Sequence, residues 1–192
     1  MRATGYCSHM KRLALSVICV FLGTAAPAQQ PFVTVKPEPA MEAWWLRAEF
    51  HPMHTEVRGI PVAQIRRNWC KATEYSRDLF PRELLIENGT DLMAQGELSF
   101  AVEGFFDRSR TKQVALVGVY QTCGGEKGSF LLILDEGSKK VRFVDTVPGR
   151  TQFAALGASR GSSIVLFHCM ECDNASTLRW DRARKKFAWS RR

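Results

Sequence analysis

Four cysteines are the residues whose type and spacing most directly indicate chemistry. Cys169 and Cys172 form a Cys-x-x-Cys pair after an apolar run, and Cys70 and Cys123 stand singly earlier in the chain. A strong zinc signature has two such pairs. A thioredoxin-like pair opens a helix, whose N-terminus lowers the thiol pKa, whereas CDNAST after this pair predicts a turn into another strand. We therefore predict that the four cysteines form two disulfides.

The sequence leaves two disulfide pairings open. In the first, Cys123 bonds one cysteine of the Cys-x-x-Cys pair and Cys70 bonds the other. This pairing follows if the strands form one up-and-down sheet, because loops after even-numbered strands then emerge at the same end. In the second, Cys70 bonds Cys123 and Cys169 bonds Cys172.

The first 28 residues have the pattern of a secretory signal peptide. A basic start with Arg2, Lys11 and Arg12 precedes the apolar run LALSVICVFLG, and an A-x-A site ends at Ala28. The run is shorter than the roughly 20 apolar residues of a membrane-spanning helix. We expect the mature chain to be periplasmic or extracellular, where an even number of cysteines indicates disulfides.

Removal of this segment leaves a basic chain of one-domain size. Three of the 27 basic residues and none of the 19 acidic residues lie in the segment, so the net charge becomes 24 − 19 = +5. The remaining chain of 192 − 28 = 164 residues can bury a hydrophobic core of its own. We predict a single domain over residues 41–192, preceded by an extended, proline-rich lead-in at 29–40.

The C-terminal segment RWDRARKKFAWSRR combines positive charge with aromatic residues. It has seven basic residues, one acidic residue and three aromatic residues. Such segments are typical of surfaces that bind anionic polymers, and an exported protein meets an anionic envelope polymer or an acidic partner protein rather than nucleic acid. The alternative is a final hairpin whose rings face the core and whose charges face water. The candidate binding residues are Arg182, Arg184, Lys185, Lys186 and, in the TCGGEKG loop, Lys127.

The fold class follows from two kinds of periodicity. Between Pro61 and Phe80, apolar residues recur at steps of four and three, which predicts a helix within a helical part at 41–88. From residue 96 to 190, eight short apolar runs alternate with turn-rich segments, which predicts an antiparallel β-meander of seven to eight strands. We therefore predict an α+β fold in which an N-terminal helix packs on the meander.

The segment GFFDRSRTKQVALVG, residues 104–118, resembles one FG-GAP or VCBS-type repeat. In that family a strand enters an acidic calcium loop of the form D-x-D-G-x-x-D and leaves in an apolar strand. Asp107 matches the first acidic position and VALVG the exit strand, whereas Ser109, Arg110 and Gln113 replace the other ligands. The resemblance implies a β-hairpin with this loop shape. Calcium takes about six to eight oxygen ligands, so we predict no metal here, and no cofactor elsewhere.

These observations predict a small, exported, disulfide-stabilised binding protein without catalysis of its own, such as an inhibitor or antagonist of an envelope-acting enzyme or toxin. The chain contains no G-x-S-x-G motif and no P-loop. One alternative is a thiol–disulfide redox or structural-zinc protein that uses the Cys-x-x-Cys pair, and another is an accessory component of an envelope assembly. Asn88 and Asn174 match the acceptor pattern for N-glycosylation.

Overall fold

The computed structural model describes residues 30–35, 43–157, 162–170 and 175–190. The predicted signal peptide, Cys172 and Asn174 lie outside these ranges. The fold is mostly β: 51% of the described residues lie in strands and 12% in helices, and the three α-helices within these ranges are short. The predicted α+β class, with a long N-terminal helix on a meander, is therefore wrong.

The described ranges contain strands β1 to β16 and helices α1 to α3. The strands are β1 (Val33–Val35), β2 (Ala48–Phe50), β3 (Glu56–Val57), β4 (Ile60–Pro61), β5 (Trp69–Glu74), β6 (Ile86–Glu87), β7 (Thr90–Asp91), β8 (Leu98–Ser99), β9 (Ala101–Gly104), β10 (Gln113–Thr122), β11 (Lys127–Asp135), β12 (Val141–Pro148), β13 (Ala155–Gly157), β14 (Ser163–Phe167), β15 (Ala175–Asp181) and β16 (Lys186–Ser190). The helices are α1 (Val62–Ile65), α2 (Arg82–Leu85) and α3 (Leu92–Gln95), and 3₁₀ turns lie at Trp44–Leu46 and Arg77–Leu79.

Two five-stranded antiparallel sheets form the body of the protein. In the first sheet the order is β12-β11-β10-β5, and β9 also pairs with β10. The second sheet has the order β16-β15-β14-β13-β8. Each of the eight apolar runs contains a strand, but the runs do not form one meander. The first run is divided between β8 and β9, so the chain passes from one sheet to the other at Phe100.

The two sheets pack face to face around the larger apolar core. Leu131 and Ile133 of the first sheet meet Leu156, Ile164 and Leu178 of the second in one buried cluster. The opposite face of the first sheet buries a second cluster beneath the β3–β4 hairpin and α1. Because β10 and β11 are covered on both faces, their sequences are almost continuously apolar and do not alternate.

The predicted helix between Pro61 and Phe80 is replaced by α1, a single turn, and by strand β5. Trp69 pairs with Thr122 and Lys71 with Gln121, so Cys70 is an extra residue, a β-bulge, opposite β10. The bulge turns Trp69 and Ala72 to the same face, where both join the second cluster. A spacing of three residues on one face is typical of a helix, and here a bulged strand produces it.

The segment preceding β3 packs on the larger core through its aromatic side chains. Phe32 beside β1 and Phe50 in β2 lie 5.6 Å apart between ring centroids, and Tyr75 contacts both rings. Trp44 and Trp45 are buried, whereas Leu46 next to them is 56% exposed. The aromatic cluster therefore packs the paired strands β1 and β2 against the two sheets.

Candidate anion-binding cleft

A cleft of about 430 Å³ opens where β12 approaches the β15–β16 hairpin. Within the described ranges β12 and β16 are the terminal strands of their sheets, so the cleft lies at one edge of the packed pair. Its lining combines positive charges with aromatic rings. The lining residues, called the basic cleft below, are Lys140, Val141, Arg142, Phe143, Trp180, Lys185, Lys186 and Phe187.

Three aromatic rings form one wall of the basic cleft. The ring centroid of the buried Phe187 lies 5.5 Å from that of Phe143 and 5.1 Å from that of Trp180. The Trp180–Phe187 pair is edge-to-face at 69°, an arrangement that aromatic quadrupoles favour. Since Phe143 belongs to the first sheet and Phe187 to the second, the same contacts that line the cleft hold the two sheets together.

The turn between β15 and β16 sets the position of two lysines on the cleft. Asp181 Oδ1 accepts hydrogen bonds from the backbone amides of Ala183, at 2.9 Å, and Arg184, at 3.1 Å. Asp stabilises turns through such bonds. Lys185 closes the turn with a φ of +48°, and Lys186 then pairs with Asp181. The aspartate therefore orders the backbone that carries both lysines.

Two buried carboxylates hold Arg142 in the cleft wall. Its Nη2 donates to Asp107 Oδ2, and its Nε lies 3.7 Å from Asp135 Oδ1. Asp107 and Asp135 are only 6% and 5% exposed, whereas the Arg142 side chain is 28% exposed. The charge of Arg142 is thus neutralised from inside the protein while part of the side chain faces the cleft.

Asp107 lies in the loop that resembles a calcium loop, and hydrogen bonds keep it ionised. Burial raises the pKa of Asp107, but hydrogen bonds from Ser109 and Arg142 outweigh this effect, so the pKa lies below its ordinary value. The Ser109 amide donates to Oδ1 at 2.9 Å. Within the described ranges no group of three or more His, Cys, Asp or Glu side chains is arranged to hold a metal.

Three lysines give the basic cleft its net positive charge. In the described part of the chain no acidic side chain lies within 4.0 Å of the amino groups of Lys140, Lys185 or Lys186. All three residues are exposed. Clustered like charges in a concave site create a potential that attracts the opposite charge. The cleft can therefore bind an anion, and its aromatic wall can cover an apolar part of the same ligand.

The structure places two of the five predicted binding residues in the cleft. Lys185 and Lys186 line it, whereas Arg182 and Arg184 are exposed on the neighbouring turn. Arg184 Nε lies 3.7 Å from an oxygen of Asp181. Neither arginine therefore forms the cleft wall, and Asp181 offsets the charge of Arg184.

Lys127 lies far from the basic cleft. It begins β11, and eight residues of strand, about 27 Å at 3.4 Å per residue, separate it from the other end of β11. Its amino group is 3.8 Å from Glu49 Oε1 beside a cleft of about 300 Å³. Arg150, which also lines that cleft, donates to the Leu46 carbonyl. Both cations there have partners, so this second cleft is a weaker site for an anion.

The sequence prediction did not include Lys140 and Arg142. Both come from the segment GSKKVRF, whose local sequence indicates only a turn followed by a strand. The signal that could have identified them is the presence of basic residues at the start of an apolar strand. Combining them with Lys185 and Lys186 required knowing that β12 and β16 lie side by side, about 40 residues apart in sequence.

A disulfide joins Cys70 to Cys123 across 53 residues, which is part of the second pairing that the sequence left open. The Cys123 amide also donates to the Asn68 carbonyl at 2.9 Å. Cys169 is buried and disulfide-bonded as well, and Cys172 lies outside the described ranges. The first pairing is wrong because it assumed one continuous sheet, whereas β10 and β14 belong to different sheets.

Comparisons with known proteins identified no relative of the chain. No family model, curated protein or solved structure matches the chain.

Proposed function

We propose that this protein is an exported binding protein whose basic cleft binds an acidic segment of a partner protein. The partner class that we favour is an enzyme or toxin active in the cell envelope, which the protein inhibits or neutralises. The observation that carries the proposal is a set of three lysines around an aromatic wall, none of which has an acidic partner among the described residues.

The chemistry of the cleft matches acidic side chains. Carboxylates form charge-assisted hydrogen bonds with ammonium groups, which are stronger than those between neutral groups. The half-buried rings of Phe143 and Trp180 offer an apolar surface to the methylene groups of a bound Glu. Arg142 is already held by Asp107, so it loses little side-chain entropy when a ligand binds.

Two edge strands favour a polypeptide over another anionic polymer. In the described ranges β12 and β16 each pair with a single neighbour. Edge strands present backbone donors and acceptors to which an extended peptide can add as a further strand. An anionic polysaccharide could bind the lysines but has no peptide backbone with which to add a strand.

The disulfide supports the exported part of the proposal. Cys70 and Cys123 are both exposed, and disulfides persist in oxidising compartments but are rare in the cytosol. Among the described residues no helix has the length and apolar character needed to cross a membrane.

The test compares charge reversal inside and outside the cleft. One variant carries Lys140→Glu, Lys185→Glu and Lys186→Glu. The control carries Arg67→Glu, Lys71→Glu and Arg82→Glu, which change the net charge equally at exposed positions that do not line the cleft. The probe is a fluorescein-labelled octapeptide, Thr-Glu-Thr-Glu-Thr-Gln-Thr-Thr, titrated in 0.1 M salt with anisotropy as the readout.

The cleft variant should bind the probe at least about tenfold more weakly than the wild type, a loss of about 1.4 kcal/mol. The control should differ by less than about twofold in 0.1 M salt, because charges more than about 10 Å away are screened there. Equal losses in both variants would show that only net charge matters and would overturn the proposal.

A further inference from the structure

A smaller pocket, distinct from the cleft beside Lys127, lies between the two sheets next to the basic cleft. Its volume is about 260 Å³, slightly below the range of about 300–1,000 Å³ typical of sites for whole small molecules. A single side chain suits such a volume better. Asp145 and Val147 of β12 line it together with Leu166 and Trp189 of the second sheet and with His168, which follows β14.

The pocket and the basic cleft share one seam, formed by β12 and β16. Phe143 contacts Phe187, and two residues further along both strands the Trp189 Nε1–H donates to Asp145 Oδ2 at 2.6 Å. The two contacts follow each other in the same chain direction. The basic cleft therefore lies at the N-terminal ends of the two strands, and the smaller pocket lies towards their C-terminal ends.

Asp145 gives the smaller pocket a negative charge. Its Oδ1 accepts from the Thr146 amide at 2.9 Å and its Oδ2 from Trp189. A carboxylate has about four lone-pair positions, so it can accept further hydrogen bonds. No basic side chain within the described ranges lies within 4.0 Å of it. The indole ring of Trp189 adds a face suited to a cation.

The histidine in this pocket does not cancel that charge. Burial lowers the pKa of His168, and a hydrogen bond with the Phe153 backbone offsets this only in part. The Gln152 amide lies 3.3 Å from Nδ1, where it can donate to a neutral ring. At neutral pH the pocket therefore combines one carboxylate with a neutral imidazole and apolar walls.

We propose that the pocket around Asp145 binds a basic side chain of the same partner segment whose acidic side chains enter the basic cleft. The ligand is then a dipolar, extended peptide. The inference rests on the proposed function and specifies the partner more closely. The recognition motif of the partner then contains both acidic residues and a Lys or Arg on the same face of the segment.

The seam sets the spacing of the two charges in the ligand. On β12, Arg142 and Asp145 are three residues apart, and on β16, Lys186 and Trp189 are also three apart. At 3.4 Å per residue, the basic cleft and the smaller pocket are therefore about 10 Å apart along the strands. Side chains on one face of an extended peptide recur every second residue, at about 7 and 14 Å. The basic side chain should therefore lie two to four residues from the acidic ones.

The test uses a peptide with an added Lys, whose positive charge the basic cleft alone would repel. The probe Thr-Glu-Thr-Glu-Thr-Lys-Thr-Thr differs from the octapeptide above only by Lys in place of Gln. It is titrated against the full chain, the Asp145→Asn variant and the Glu56→Gln variant. Asn keeps an acceptor for Trp189, and Glu56 is an exposed carboxylate of the β3–β4 hairpin, outside both sites.

The Lys peptide should bind the wild type and Glu56→Gln about fivefold more tightly than the Gln peptide, the size of a favourable partly exposed ion pair. Asp145→Asn should abolish this preference while its affinity for the Gln peptide stays unchanged. If the Gln peptide binds but Lys weakens it, the ligand is purely anionic and only this inference fails. If neither peptide binds, the proposed function fails first.

Discussion

Replacing Asp107 by Asn should lower the free energy of unfolding by about 2 kcal/mol, because the substitution removes the main counter-charge of Arg142. Removing one partner of a fully buried pair costs about 3–5 kcal/mol, and breaking an exposed pair costs about 0–1 kcal/mol. The Asp107 side chain is 2% exposed and that of Arg142 28% exposed, so this pair falls between the two cases. Asn still accepts the Ser109 amide, which limits the loss to the charge.

The assay is urea denaturation followed by tryptophan fluorescence, with Glu103→Gln as the matched control. Glu103 pairs with Lys112, but both side chains are about half exposed, at 52% and 45%. The control should therefore lose less than about 1 kcal/mol. A double-mutant cycle with Arg142→Gln should give a coupling energy of at least about 1 kcal/mol. Equal losses for Asp107→Asn and Glu103→Gln would refute the account of the cluster.

The stability difference between the wild type and Asp107→Asn should depend on pH. The folded pKa of Asp107 lies below its ordinary value, so the unfolded chain binds the proton more readily. The stabilisation is complete above the ordinary pKa and is lost as the pH falls through the folded pKa. The difference between wild type and Asp107→Asn should be largest near pH 7 and should shrink on acidification below about pH 4.

Three other features make separate predictions. Replacing Cys70 and Cys123 by Ser should lower the free energy of unfolding by about 2–4 kcal/mol, because the bridge closes a 53-residue loop, and an unchanged denaturation midpoint would contradict this. Gly118→Ala should prevent stable folding, since its methyl group would lie 2.3 Å from a backbone oxygen of β5, whereas Gly137→Ala has nothing within 4 Å and should give a normal circular dichroism spectrum. Burial lowers the pKa of His168, so its contribution to stability is present above about pH 6.5 and is lost as the pH falls below that value; an NMR titration giving a pKa of 6.5 or more would contradict the buried environment.

The strands were predictable from the sequence because they depend on local pattern. Turn-rich segments and short apolar runs identified the places of β10 to β16. The assignment of strands to two sheets was not predictable, because it depends on the crossing at Phe100 between β8 and β9, which no local signal marks. The helix prediction was wrong at Trp69 and Ala72 because a β-bulge at Cys70 places both side chains on one face. A regular strand would place residues three apart on opposite faces.

The candidate site was predictable only in its C-terminal half. Lys185 and Lys186 stood out because a dense basic run with aromatic residues is visible in sequence. Lys140 and Asp145 did not, because their roles arise from the neighbouring position of two edge strands that are distant in the chain. Long-range pairing of this kind is set by the packing of whole sheets rather than by local propensity.

The measurement that tests the central claim most directly is NMR mapping of amide shifts in the ¹⁵N-labelled protein during titration with the Glu-containing octapeptide. The account predicts the largest shifts at residues 140–143 and 185–187, around the three lysines of the basic cleft. Shifts centred instead on Lys127 and Arg150, or shifts that do not saturate at any position, would contradict it.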